Sequence, residues 1–385
     1  MNKSIIIIGA NEFQKQIVLK ANELGYQTHV FAWEQGACIK NEADFFYPLS
    51  ITKKEEILEL AKRINPDGIL SVASDLAVPT VSYVAEALGL IGNSMHSALI
   101  STNKFEMRKS FSKYNVCCPQ FALVDSKSLI PEKLPGFPFI IKPVDRSGSR
   151  GVCKVTNLEE LQQAIENAVE VSFTSTVLIE EFVEGQEYSM EMLSYEGEHY
   201  FLALTEKFTT NAPNFVETMH LQPGRIDEIS KSKAIKVIKQ ALTSLEIEYG
   251  ASHAEFKVNS KGDIRIIEIG ARMGGDYIGS DLVHLTTGYD FKKMVIDTAV
   301  GLKPQVVKTQ HHYPAALVKF IFDQNDIAIL NRIKETCPQR IHRIGELTEI
   351  TDSVIKDSSA RHGYFIVVGD NVNECLDLVK QESFN

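Results

Sequence analysis

The stretch HAEFKVNSKGDIRIIEIGAR, residues 253–272, alternates polar and apolar side chains on both sides of a polar break, and its register decides the fold. A two-residue loop at Lys261 and Gly262 sets Ser260 against Asp263 and, counting back, Glu255 against Glu268. Facing Cβ atoms in such a pair lie ~4.5–5.5 Å apart, and like charges there destabilise a sheet, so a cation belongs between them. Period-two alternation puts His253, Glu255, Glu268, Gly270 and Arg272 on one face, and Ala254, Phe256, Ile267 and Ile269 on the other, which is expected to be buried. Two carboxylates at this spacing suit Mg²⁺, which takes oxygen ligands and keeps waters and substrate phosphates. The alternative is a solvated face on which each glutamate pairs with a lysine.

Upstream, FPFIIKPVDRSGSRGV (137–152) reads as an apolar strand that ends in Lys142 and breaks into a glycine, serine and arginine loop. Pro143 cannot donate to a ladder, which predicts that pairing stops at Lys142 and that its ammonium stands at a sheet edge. The loop offers backbone N–H groups with little side-chain bulk, flanked by Arg146 and Arg150, a composition suited to phosphate oxygens. Lys104 sits early in a helix within the connector 93–114, where a cation gains nothing from the helix dipole.

The first 92 residues alternate strand and helix signals (SIIIIGA, NEFQKQIVLKANELG, YQTHVFAW, KKEEILELAKRI, GILSVAS), the pattern of a doubly wound parallel-sheet α/β unit. Gly9 follows the first strand, but Asn11, Phe13 and Gln14 replace the rest of a G-x-G-x-x-G loop, which disfavours a nicotinamide dinucleotide site. From 137 onward the signals become α+β: the strands STVLIEEFV, EYSMEMLSY and HYFLALTEKF, a helix in IDEISKSKAIKVIKQALTSL, the hairpin, and a tail read as strands with a closing helix.

A chain of 385 residues with 44% hydrophobic and 23% charged residues has the composition of a soluble protein of two or three domains. A net charge of −10 argues against a general nucleic-acid surface and against an anionic membrane partner. MNKSIIIIGA is too short an apolar run for a signal peptide, and a cytoplasmic location is expected. The six cysteines show no C-x-x-C pairing or His/Cys spacing, so neither disulfides nor zinc is implied.

Lys104, Lys142 with its loop, IEEFVEGQEYS and the HAE…EIGAR hairpin stand in one order, and in that order the chain resembles the ATP-grasp carboxylate-amine ligases, the superfamily of biotin carboxylase, D-alanine:D-alanine ligase and the L-amino acid ligases. The resemblance implies an N-terminal α/β domain (1–92) and an ATP-grasp domain (93–301). The latter divides into a lid subdomain at about 115–182 and a catalytic subdomain at about 183–301, and a strand-rich segment (302–385) completes the catalytic part. It also implies that ATP is bound by Lys104, Lys142, Ser147, Gly148, Ser149 and Gly151, by the hinge Glu180, Glu181, Phe182 and Val183, which offers backbone groups and a carboxylate to the base, and by Glu187 at the ribose. Glu255 and Glu268 become ligands of Mg²⁺, with Mn²⁺ as the alternative ion. Arg272 would stabilise an acyl phosphate and the tetrahedral species that follows, with His253 and Lys207 as further catalytic candidates.

Substrate contacts are expected from Arg272, Gly274, Gly275, Asp276 and His220. Asp276 and Asp281 could hold an amino group, with an N-cap role for Asp276 as the rival reading. The implied activity phosphorylates a small carboxylate, such as an amino acid, and couples it to an amine with release of ADP and phosphate. The partners are then small molecules, with room for a homodimer. One departure stands out: many members read E-x-N-x-R where this chain has Gly270. That motivates a second reading, an ATP-binding regulator with reduced catalysis. An NAD-dependent oxidoreductase resting on the N-terminal unit is a third.

Overall fold

A computed structural model describes residues 3–125, 136–310, 313–350 and 355–380. It contains three sheets. The first comprises β1 (Ser4–Ile8), β2 (Gln27–Ala32), β3 (Phe45–Pro48) and β4 (Gly68–Leu70), all parallel in the order β3-β2-β1-β4. Every residue of β1 is buried, as expected for a parallel strand covered on both faces. One of the covers comes from far along the chain: the helix Phe291–Ala299 packs on the helix Glu12–Glu23 and on β4. Its approach explains the glycine that opens β4, since a Cβ at Gly68 would lie 2.3 Å from the Ala299 carbonyl oxygen.

The second sheet is antiparallel, with β5 (Phe121–Asp125), β6 (Phe139–Pro143), β7 (Cys153–Val155) and β8 (Thr176–Glu181) in the order β5-β8-β6-β7. The helix Leu158–Val171 covers it with Leu161, Ala164, Ile165 and Ala168, one stripe at helical spacing, and starts where Asn157 accepts the Glu160 N–H. Here the sheet-edge expectation for Lys142 fails. β6 is an interior strand, and Lys142 is 4% exposed. Because β7 reaches only from Phe139 to Ile141, Lys142 faces β8 alone, and Pro143 still stands opposite Val177.

The third sheet has eight antiparallel strands: β9 (Gln186–Tyr195), β10 (Glu198–Thr209), β11 (Glu217–Gln222), β12 (Gly250–Val258), β13 (Ile264–Gly270), β14 (Ala315–Ile321), β15 (Ile341–Ile344) and β16 (Gly363–Gly369), in the order β13-β12-β9-β10-β11-β14-β16-β15. The mixed α/β class read from the sequence is therefore the observed one. The tail was misread in part, because it contains the helix Gln324–Thr336, capped by Asp323 and buried through Ile329, Leu330 and Ile333. Its isoleucine-rich run has strand propensity, and tertiary burial overrides it.

The hairpin pairs Glu255 with Glu268 and His253 with Gly270, but not by way of a two-residue loop. The turn is longer: Asn259 N–H donates to the Asp263 carbonyl and Gly262 N–H to the Asn259 carbonyl. The ladder then shifts by one, with Phe256 opposite Ile266, and the extra residue Ile267 forms a bulge. Turn and bulge errors cancel at the glutamates. Ile267, expected in the core, instead lines a cleft, while Ile266 is buried.

Gly68→Ala is expected to lower unfolding free energy by about 1–3 kcal/mol, the usual cost of overpacking, because the Ala299 backbone must move. Gly136→Ala, where nothing lies within 4 Å of the added Cβ, is the control and should change stability by no more than about 0.5 kcal/mol in urea titrations.

Candidate active site

The second and third sheets face each other across a cleft of about 160 Å³, which adjoins a cavity of about 540 Å³ reaching the carboxyl end of the first sheet. One wall of the cleft begins with the helix Lys104–Lys113, whose first turn is fixed by Asn103 accepting the Phe105 and Glu106 N–H groups. Lys104 and Arg108, one turn apart, lie on the same side of it. Arg108 Nε donates to Glu180 Oε1 at 2.6 Å and its Nη2 to the Ile267 carbonyl, while Lys142 Nζ reaches Glu180 Oε2 at 2.6 Å. Burial would raise the Glu180 carboxyl, but the two cations hold it below its usual range. Burial lowers the Lys142 ammonium, Arg108 adds to that, and Glu180 opposes both. The hinge expectation for the Glu180 carboxylate is thus corrected: it is 2% exposed and held between two cations.

Lys104 Nζ donates to Glu268 Oε1 and to the Arg146 carbonyl, both at 2.7 Å. Across the hairpin, Lys207 Nζ reaches Glu255 at 2.5 Å and Glu187 and Glu217 at 3.4 Å each. The expected intervening cation is therefore a separate lysine on each glutamate. Burial would depress Lys207, yet Glu255, Glu217 and Glu187 hold it well above the ordinary lysine value. Burial is likewise outweighed at Glu255, which Lys207 and His253 keep well below the carboxylate range. Glu187, crowded by burial and by Glu255, is raised instead.

His253 contacts Glu191 through Nδ1 and Glu255 through Nε2 at 3.3 Å. Burial works against its charge, but Glu191 and Glu255 raise it to about 9. Gly274 does not line either cavity. A Cβ there would sit 2.5 Å from Glu191 Oε1, and its N–H donates to Glu191 Oε2 at 2.9 Å.

Arg272 forks onto Asp75, Nε to Oδ1 at 3.0 Å and Nη2 to Oδ2 at 2.9 Å. Asp75 comes from the turn after β4, and it accounts for Gly270: a Cβ at 270 would lie 2.7 Å from Asp75 Oδ1. Asp276 is no N-cap. It is left-handed (φ 53°) and holds Arg361 Nη1 at 2.8 Å and His220 Nε2 at 3.3 Å. Asp281 is turned away from the cavity to Arg343 and Ser280. Gly275, Asp276, His220, Lys207, His253 and Arg272 all line the larger cavity.

Ser147, Gly148 and Ser149 line the cleft, with Ser149 Oγ donating to the Phe215 carbonyl at 3.2 Å; Gly151 (φ 73°) forms the base of the loop against Pro143 and Val171. Glu181, Phe182 and Val183 edge the same cleft, but the N–H groups of Glu181 and Phe182 donate to Gln120 and Pro138 carbonyls. Lys154 and Lys257 lie over the Phe182 ring. Residues the sequence reading missed are Asp75, Arg108, Glu191, Glu217 and Arg361. Only Arg108 had a local signal, its helical spacing from Lys104.

The family description of an ATP-grasp domain matches residues 135–281, the segment that carries the glycine loop, the hinge and the hairpin. Among curated relatives, the alanine–anticapsin ligase of Bacillus subtilis (strain 168) is 28% identical over 274 residues, covering 61% of this chain and 57% of the relative. The chain thus spans somewhat more than half of that relative's length. The L-amino acid ligase from Bacillus licheniformis superposes with a TM-score of 0.86 at 22% identity, over 98% of this chain and 96% of that one. The N5-carboxyaminoimidazole synthetase from Staphylococcus aureus, complexed with ADP, gives 0.78 at 18% identity over 97% and 95%. The fold of these structures is therefore shared along nearly the whole chain. Among the described residues no helix is long and apolar enough to cross a membrane.

Gly270→Asn should destabilise the domain by about 1–3 kcal/mol, because its side chain meets the Asp75–Arg272 pair. The cost should shrink when Asp75→Ala is added, giving a non-additivity of about 1 kcal/mol or more in a double-mutant cycle read by chemical denaturation. Strict additivity would remove Asp75 as the reason for Gly270.

Proposed function

We propose that the chain is an ATP-dependent carboxylate-amine ligase. The observation that carries the reading is the convergence on one cleft of Lys104, Lys142 and the Ser147–Ser149 loop from one side and of Glu255 and Glu268 from the other. Phosphoryl transfer asks a protein mainly for positioning and charge neutralisation, and that is what this set offers. Lys104, Lys142 and the loop hold nucleotide phosphates, and Glu181 to Val183 and Glu187 edge the space for base and ribose.

Glu255 and Glu268 fit Mg²⁺. Each already attracts an ammonium, and each keeps about a quarter of its side chain open, 23% and 25%. Among the described residues no group of three or more His, Cys, Asp and Glu forms a cage. An ion that takes one or two carboxylates and completes its shell with waters and substrate phosphates suits this pair, Mn²⁺ by the same oxygen set. When bound, it supplies charge neutralisation between the phosphates.

The γ-phosphoryl group passes to a substrate carboxylate oxygen as the bond to the β-phosphate oxygen breaks, leaving ADP and an acyl phosphate. An amine then attacks the acyl carbon, its proton passes to solvent, and phosphate leaves as the C–N bond forms. Arg272, kept in place by Asp75, faces the developing oxyanion. Gly275, Asp276 and His220 bound the substrate side. The same reading keeps 1–92, 93–301 and 302–385 as working domains, places the chain in the cytoplasm and gives it small-molecule substrates, with a homodimer as the assembly to look for. Asp75 gives Gly270 a steric reason, and the regulator reading, which rests on the missing asparagine, is the outcome that absence of turnover would favour.

Incubation with Mg-ATP and a panel of L-amino acids should release ADP and phosphate, not AMP and pyrophosphate, with new amide products by mass. Glu268→Gln should lose at least about 100-fold in turnover. It should also show a smaller rise in melting temperature with Mg-ATP, since ligand stabilisation follows affinity. Wild-type turnover in Glu268→Gln would end the metal assignment.

A further inference from the structure

The larger cavity extends past the phosphate cleft onto the carboxyl ends of β1, β2 and β4, where open α/β sheets receive ligands. This wall differs in kind from the rest of the site. Among the described residues that it contributes between positions 9 and 76, the one ionisable side chain is Asp75, already held by Arg272, and there is no lysine or arginine.

At the start of the helix Glu12–Glu23 three backbone N–H groups are already engaged. Asn11 N–H donates to Gln14 Oε1, Phe13 N–H to Asn11 Oδ1 and Gln14 N–H to the Asn11 carbonyl, each at 3.0 Å. Gln14 Nε2 is in turn anchored on the Val72 carbonyl at 2.6 Å. A phosphate is held best by cations, and this wall supplies none. On the opposite side Lys207, Arg272 and Arg361 each hold a carboxylate, although Arg361 Nε is buried without a hydrogen-bond partner, and Arg150, which donates to the Ser147 carbonyl at 3.4 Å, is a further cation in the glycine and serine loop.

Beside the uncharged polar residues Asn11, Gln35 and Ser74, the wall presents large apolar side chains. Trp33, directly after β2, is 48% exposed and Leu76 is 40% exposed, both inside the cavity beside Phe13. An exposed indole in a concave site with convergent polar groups opposite is the surface on which a flat or branched apolar group is recognised.

We propose that this wall receives an uncharged apolar side chain of one substrate, laid on the Trp33 indole. The cavity would then select an amino acid with an aliphatic or aromatic side chain over a phosphorylated acid. The identity of the cavity as a substrate site rests on the ligase reading above.

Trp33 is the only tryptophan of the chain, so its emission reports on this wall alone. Wild-type protein, with and without Mg-ADP, is titrated with L-alanine, L-leucine, L-phenylalanine and O-phospho-L-serine, excited at the red edge of tryptophan absorption. L-Leucine and L-phenylalanine should shift the emission and saturate at about tenfold lower concentration than L-alanine, a ratio equal to about 1.4 kcal/mol. O-Phospho-L-serine should leave the emission unchanged. In turnover assays Trp33→Ala should raise KM for the apolar amino acid about tenfold with kcat and the KM for ATP within about twofold, as loss of uniform binding does, and Trp33→Phe should restore it. Saturation by O-phospho-L-serine at or below the L-leucine concentration, or no response to any apolar amino acid, overturns the inference. A normal fluorescence response without ADP formation from any substrate would count against the ligase reading and leave the preference of the wall standing.

Discussion

Glu180 is a carboxylate with almost no contact with water, held by Arg108 from a helix and by Lys142 from the neighbouring strand. Removing an ion from water costs several kcal/mol, and attraction offsets that only when geometry is good and the remaining polar atoms are satisfied. Here Arg108 also donates through Nη2 to the Ile267 carbonyl at the hairpin bulge, so one guanidinium ties the smaller antiparallel sheet to the larger, although its Nη1 is buried without a hydrogen-bond partner. The direction in which Lys142 points, the width of the cleft and the position of Glu268, the residue after the bulge, all depend on this junction. A helix, two sheets and a bulge are located by three charged side chains.

The rest of the site obeys the same constraint at smaller scale. Four carboxylates, Glu187, Glu217, Glu255 and Glu268, are brought to one cleft, and lysines 104 and 207 keep the assembly from repelling itself. Arg272 with Asp75 and Arg361 with Asp276 extend the alternation of charge toward the larger cavity. Such a lattice is rigid because each ion is needed by its neighbour. It also leaves little unneutralised charge, which is why the wall without ions, around Trp33, stands out.

Much of this was legible in the sequence because two short-range rules apply. Period-two alternation puts Glu255 and Glu268 on one face whether the turn has two residues or more, provided that a bulge corrects the count, as Ile267 does. The parallel sheet announced itself through runs such as SIIIIGA. What stayed hidden depends on contacts distant in sequence. Asp75 and Arg272 are nearly two hundred positions apart, and nothing local to either marks the pair. Glu191 reads as one more polar residue in a strand until His253 and Gly274 close on it. Lys142 looked like an edge cation because the strand that covers its neighbours, Cys153–Val155, is too short to be seen by periodicity.

The double attachment of Lys104 carries a mechanical consequence. One ammonium binds the Glu268 carboxylate and the backbone of the glycine and serine loop at Arg146. A group that competes for Glu268 acts on the same ammonium that tethers the loop, and a ligand that moves the loop acts on the ammonium that holds Glu268. Thermodynamic linkage makes these two effects equal in free energy. The loop and the carboxylate thus report a single equilibrium at its two ends. A probe attached to either end would follow the occupancy of the other.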